Sequence, residues 1–186
     1  MPTPPRTSLE AIVSAGRRLL ESEGLESLSM QRVAVAVGVR APSLYKHVRD
    51  RGDLIRLIGN DAIQELGRSL DAAASSRDPR RDLRAMAVAH RAFAGAYPQA
   101  YRLLFARLPE SWQVDASLAE RASEPIIRTL EKLTAGEQTL EAARTVVAWA
   151  HGFAAMELAG AFRLGGDVDR AFAFGLDRLL SAVVSD

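Results

Sequence analysis

Along the chain apolar residues return every three or four positions, and stretches of strict apolar–polar alternation are nearly absent. That spacing lays apolar side chains along one face of a helix and predicts an all-α protein. Leu9, Ile12, Val13, Leu19 and Leu20 form the first stripe. Its ends are marked, with Thr7 and Glu10 reading as a capping box and Gly24 as a stop. Pro2, Pro4 and Pro5 predict a flexible arm ahead of it. A second helix is expected over 29–37, closed by Gly38, and a short third from Pro42 to about Val48, with proline in the first turn. A fourth, over 52–74, would turn Leu54, Ile58, Ile63, Leu66 and Leu70 inward.

Past that point Asp78 and Pro79 read as N-cap and first helical residue, beginning a fifth helix that stops before Pro98. A short helix over 98–107 and a loop over 109–114 follow. The next helix, over 116–133, should be interrupted or kinked at Pro125. After a break at 134–136 come two long helices, 138–164 and 168–184, parted by Gly165, Gly166 and Asp167. The pattern gives about nine helices, with no repeat and no low-complexity tract.

The stretch 29–54, SMQRVAVAVGVRAPSLYKHVRDRGDL, carries the main functional signal. Two helices that cross steeply need a small residue at the contact, a tight turn and a shared core. Ala34 supplies the contact, Gly38 the turn, and Val33, Val37, Val39, Leu44 and Val48 the core. In a helix-turn-helix the first residues of the second helix, here Arg40, Ala41, Pro42 and Ser43, face base edges. Tyr45, Lys46 and His47 lie where polar groups reach phosphates. Charge agrees with this reading. From Ser29 to Arg51 five basic residues (Arg32, Arg40, Lys46, Arg49, Arg51) stand against Asp50, a net +4, while the remainder holds 19 basic and 22 acidic residues, a net −3. A solvated basic face would show the same bias.

These residues resemble the TetR family of transcriptional repressors. The matching set is Ser29, Val33-Ala34, Gly38-Val39, Leu44-Tyr45-Lys46-His47, Val48, Arg51 and Leu54, with Leu19-Leu20 and Gly24 fitting the family's opening helix. Arg51 stands where the family has lysine, and Gly52 weakens the start of the following helix. The resemblance implies that Tyr45, His47 and Arg51 hold phosphates, helped by Gln31 and Arg32, and that Arg40, Ala41 and Ser43 approach bases. It further implies a helix-turn-helix domain over 1–51 and a helical ligand-binding and dimerisation domain over 52–186. Trp149-Ala150-His151-Gly152-Phe153 resembles the Trp-x-x-His-Gly pattern of one family subgroup, with one residue fewer between Trp and His.

Within that second domain the helix over 138–164 is apolar on more than one face, with Val146, Val147, Trp149, Ala150, Phe153, Ala154, Met156 and Leu158. Gly152, Ala155, Ala159 and Gly160 would let another helix approach closely. With Phe172, Leu176, Leu179, Leu180 and Val183 on the last helix, this suits a four-helix homodimer interface; an intrachain bundle would satisfy the same pattern. Tyr97, Tyr101, Phe105, Trp112, Trp149 and Phe153 gather the aromatic content and suggest a cavity for a small-molecule effector, with Glu157 as a buried acid. An ordinary aromatic core would also use them.

Several function classes are set aside. The chain has no cysteine. His47, His90 and His151 are far apart, and no nucleophile elbow, zinc-protease signature, phosphate loop or dinucleotide fingerprint occurs. No catalytic residue, metal site or cofactor is therefore expected. Without a signal-peptide pattern or an apolar run of about 18 residues, a soluble cytoplasmic protein is expected. The expected partners are double-stranded operator DNA, a small-molecule effector and a second copy of the chain. A DNA-binding regulator governed by a protein partner or by abundance, with no ligand, fits the same residues.

Overall fold

A helix begins where a side chain can satisfy its first free amides, and Ser8 does so here: its Oγ accepts the N–H of Ala11 at 3.1 Å. The expected cap, Thr7, stands one residue too early, because the first helical residue is Leu9. The computed structural model describes residues 7–183, so the arm expected around Pro2, Pro4 and Pro5 lies outside the described residues. Among the described residues there are eight α-helices and no strand. They are α1 (Leu9–Glu23), α2 (Met30–Ala36), α3 (Arg51–Ala73), α4 (Pro79–Ala96), α5 (Pro98–Phe105), α6 (Ala116–Leu130), α7 (Thr139–Leu158) and α8 (Val168–Val183). The ninth helix expected, between α2 and α3, is a 3-10 helix, Ala41–Lys46. Further 3-10 turns lie at Leu25–Ser27, Glu110–Trp112 and Gly136–Gln138. None of the described helices is long and apolar enough to cross a membrane.

The chain forms two compact units. The first joins residues up to Glu65 with Tyr97–Ala119. Ile12, Leu20, Leu28, Val33, Leu44, Leu54, Ile55, Ile58 and Tyr101 are fully buried in it. Leu9, expected inside, is exposed. α1 packs against α2 and α5. Its polar side is used too. Glu21 accepts the N–H groups of Gln99 (3.1 Å) and Ala100 (2.8 Å), and so caps α5 from another helix. Arg17 binds Asp61 at 2.7 Å, pairs also with Glu65, and lies 4.4 Å from the centre of the Tyr97 ring. The start of α3 is closed from both directions: Asp50 accepts the Asp53 N–H (2.8 Å), and Asp53 accepts the Arg49 N–H (3.0 Å). Burial raises the Asp53 carboxyl, but the bonds from Arg49 and Arg56 outweigh it and hold the group at about 2. This closure offsets the weak helix propensity of Gly52.

The second unit joins Leu66–Ala96 with the chain from Glu120 onward. Here α4 packs on α7, and both pack on α8. Leu83, Met86, Phe93, Ala150, Ala154, Phe172, Leu176 and Leu180 fill the space between. α4 starts as expected, with Asp78 accepting the N–H of Arg80 at 2.9 Å ahead of Pro79. α6 runs unbroken through Pro125, rather than being interrupted there, and Thr129 donates its hydroxyl to the Pro125 carbonyl at 2.7 Å. α7 ends six residues earlier than expected. The N–H of Gly160 bonds to Glu157 and that of Ala161 to Met156, both at 2.9 Å, a Schellman closure that stops the helix. Along α3, Ile63 is only half-buried, while Ala62, one position earlier, lies on the inner face.

His90 on α4 is buried, and burial, followed by the charge of His151, pushes its imidazole down to about 4. The unfolded chain takes that proton near 6.5, so acid favours unfolding. The expected result is a loss of about 3 kcal/mol in unfolding free energy from this group as the pH falls from about 6.5 to 4. Denaturant titrations of the wild type and of His90→Leu across that window check it. Equal slopes in the two proteins would reject the assignment to His90.

Candidate nucleic-acid interface

Ser29 opens α2 by accepting the Arg32 N–H on its Oγ at 3.3 Å. The helix is closed by Gly38, whose φ of 73° is costly for any residue with a Cβ. The N–H of Gly38 bonds to Val35 (3.1 Å) and that of Val39 to Ala34 (2.9 Å), which turns the chain sharply. Arg40 then caps the 3-10 helix Ala41–Lys46, where the N–H of Ser43 reaches the Arg40 carbonyl at 2.9 Å and that of His47 the Leu44 carbonyl at 2.8 Å. The segment was expected as an ordinary helix. At only six residues it takes the tighter i→i+3 bonding instead. Ala34, Val33, Leu44 and Val48 are buried as expected, whereas Val37 and Val39 are half-buried.

This core turns one set of side chains outward. Arg40, Tyr45, Lys46 and His47 are exposed, with Tyr45 keeping 55% of its surface, and Ala41 and Ser43 are half-buried beside them. A large aromatic residue left in water next to three basic groups is suited to a polyanion with apolar sugar edges. Gln31 and Arg32 are exposed on α2, but Arg32 is ion-paired with Glu23. Val35, four residues after Gln31, is 72% exposed and could meet a base methyl or a sugar. Its place among the core valines in sequence hid it, and the four-residue step from Gln31 is the signal that would have found it. Arg49, counted only as charge in the sequence, is also exposed.

The Arg51 Nε donates to the Leu28 carbonyl at 2.7 Å and its Nη2 to the Leu25 carbonyl at 2.8 Å, with the guanidinium 5.6 Å from the centre of the Trp112 ring. The planar guanidinium holds the two carbonyls in a fixed geometry that a flexible ammonium would not impose. Two of its donor nitrogens are thus engaged by the turn ahead of α2.

The aromatic residues expected to line one cavity fall in both units. Phe105 and Trp112 line a recess of about 310 Å³ in the first unit, with Ile55, Gly59, Leu103 and Val114. Tyr97 stacks with Arg17, and Tyr101 is buried 5.0 Å from Phe105, its hydroxyl pushed up by burial. In the second unit Trp149 and Phe153 pack with Phe172 at 5.3 and 5.1 Å between ring centres, which fills space rather than opening it. Glu157 lines a recess of about 430 Å³ with Val88, Arg91, Leu158 and Phe172. It is bound by both arms of Arg91 at 2.7 and 2.5 Å, and that hydrogen bonding holds its carboxyl below the usual range. Arg91 pairs also with Asp169 at 2.8 Å. Among the described residues no group of three or more His, Asp or Glu side chains could hold a metal ion.

The chain is similar to known proteins along both units. Residues 12–58 match the model of bacterial regulatory proteins, tetR family, and residues 83–179 match that of the tetracyclin repressor-like C-terminal domain. The chain is 31% identical over 160 residues to the uncharacterized HTH-type transcriptional regulator Rv0681 of Mycobacterium tuberculosis, covering 84% of this chain and 73% of that one. It is 41% identical over 54 residues to the HTH-type transcriptional repressor DrrR1 of Streptomyces coeruleorubidus, covering 29% and 20%. The crystal structure of regulatory protein SCO4313 superposes with a TM-score of 0.78 at 26% identity, covering 93% of this chain and 95% of that one. TetR-Q116A from Acinetobacter baumannii AYE, solved with minocycline, does so at 0.72 and 22% identity over 97% and 99%, a likeness of fold alone.

Proposed function

Because the chain belongs to the TetR family and is a DNA-binding transcriptional regulator, we propose that it is a homodimeric repressor released from a palindromic operator by a small molecule. Residues 1–51 read DNA, and residues 52–186 dimerise and respond to the effector. The observation that carries this reading is the outward set Arg40, Tyr45, Lys46 and His47 on a segment that packs on α2 and buries Leu44. In this reading Arg40, at the start of the 3-10 helix, meets a guanine edge, and Tyr45, Lys46 and His47 hold phosphates. The protein works in the cytoplasm, where its operator is.

Two copies would pair through α7 and α8, setting their reading elements about 34–36 Å apart, one turn of DNA. An effector bound in the body would act through α3, which runs from the first unit into the second. Binding the wider spacing better, it would lower operator affinity. The structural relative from Acinetobacter was solved with minocycline, which makes a small-molecule effector a natural expectation here. The packed rings of Trp149, Phe153 and Phe172 favour a second reading, in which the regulator takes no ligand and follows a partner or its own abundance.

Selection of the purified protein on random duplex DNA tests the reading. Enrichment of an inverted repeat is expected; enrichment of a single unrepeated half-site would overturn the dimeric reader. Tyr45→Ala should then weaken binding about tenfold on every sequence, with the mass in solution unchanged. Arg40→Ala should relax preference at one base position by about 1–3 kcal/mol. If Tyr45→Ala instead unfolds the head, Tyr45 is structural and the surface is misassigned.

A further inference from the structure

We propose that Trp112 is a positioning residue for DNA binding, acting through Arg51 from a segment that lies far along the chain from the reading elements. Arg51 is the first residue of α3, and its two bonds to the Leu25 and Leu28 carbonyls fasten the turn that leads directly into Ser29, the cap of α2. Whatever fixes the Arg51 fork therefore fixes the entry to α2, and with it the helix that packs against the recognition segment. The neighbour of Arg51 on its open side is the Trp112 ring, 5.6 Å from the guanidinium carbon. A guanidinium over an indole face is attracted by the ring and screened from competing water.

The indole is seated closely. A Cβ added to Gly52 would lie 2.0 Å from Trp112 Nε1 and 2.5 Å from its Cδ1, so the ring rests on the bare backbone of the first turn of α3. Just beyond, the same segment is tied down at Asp115. Arg56 Nη1 donates to both its oxygens at 2.7 and 2.9 Å, Asn60 Nδ2 donates to it at 2.8 Å, and the Asp115 N–H returns to Asn60 Oδ1 at 2.9 Å. Gly52, Arg56 and Asn60 are spaced by four and share one face of α3. The segment from Trp112 to Asp115 is thus a strap laid along that face, with the ring of Trp112 at the end nearest the reading head. Glycine at 52 serves a purpose that its helix propensity conceals: any larger residue would lift the ring away from Arg51.

The test compares affinities for a random-sequence duplex pool at low salt and for the site selected from it, with thermal melts and solution mass as controls. Trp112→Leu keeps bulk but loses the aromatic face, and should weaken binding about fivefold with the mass unchanged. Trp112→Phe should recover most of the affinity. On an Arg51→Met background, Trp112→Leu should cost nothing further, because the ring then has no cation to position. Gly52→Ala reaches the same contact from the other side and should reproduce the loss even if the Trp112 variants fail to fold. Equal binding by the Leu and Phe variants, additive losses in the Arg51→Met background, or wild-type binding by Gly52→Ala would each overturn the proposal.

Discussion

Replacing Met156 and Phe174 together by aspartate should leave a 20.2 kDa monomer in solution and lower affinity for a two-half-site duplex by about 10²–10⁴-fold. Both side chains are apolar yet open to water, Met156 at 49% and Phe174 at 64% exposure, the latter partly covered by Arg178 at 5.2 Å. They stand on α7 and α8, the two helices proposed to pair. Around them small residues face solvent: Ala148, Ala159 and Ala173 are exposed, and a Cβ at Gly152 would meet nothing within 4 Å. Burying two such side chains from each of two copies removes apolar area that a monomer leaves wet. A carboxylate at either place would have to be desolvated without a partner, which a dimer interface does not tolerate. The affinity falls because the second half-site is bound almost for nothing once the first is held, and a monomer forfeits that advantage. Sedimentation of the wild type and the double variant decides. A wild type that is already monomeric, or a variant that stays dimeric, would remove α7 and α8 as the interface.

Leu44→Ala should cost about 2–5 kcal/mol and abolish detectable operator binding, while the second unit keeps its helices. The recognition segment has only six residues, and Leu44 is its one buried side chain, with no exposed area at all. So short a helix has no stability of its own, and a 3-10 helix still less. Its order comes from packing on α2, with Leu44 buried along with Val33, Ala34 and Val48. The alanine leaves a cavity at the only anchor, and the segment then samples other arrangements while the rest of the molecule stays packed. Hydrogen exchange of the amides at Ser43, His47 and Val48, which bond to Arg40 and Leu44, should accelerate ahead of those in α7. Unchanged exchange at those three amides would show that the segment is held by something other than Leu44.

Much of what the sequence disclosed was local, and much of what it concealed depended on partners distant in the chain, although the Ser8 cap and the end of α7 are local features that were also misread. Caps and stops could be read because the groups that make them are three or four residues apart: Ser29, Gly38, Asp78 and Pro79 all act where their spacing put them. The outward set on the recognition segment was legible for the same reason. The fate of Arg51 was not, since it depends on carbonyls 23 and 26 residues earlier. Nor was the pairing of Glu157 with Arg91, 66 residues away. The aromatic residues were read together from composition, which cannot say that they divide between two units or that Phe105 is exposed. The 3-10 form of the recognition segment was missed because the pattern of apolar residues is nearly the same in both helix types over six positions.

The cap that Glu21 places on α5 limits how this regulator can be taken apart. Grafting one protein's DNA specificity onto another's sensor is commonly imagined as exchanging a contiguous N-terminal piece. Here such a cut would strand a carboxylate on α1 and two uncapped amides on α5, and would separate Arg17 from Asp61 and Glu65. A hybrid that carries residues 97–119 along with the first 65 keeps those pairs intact, so the transferable part of this molecule is two pieces of chain rather than one.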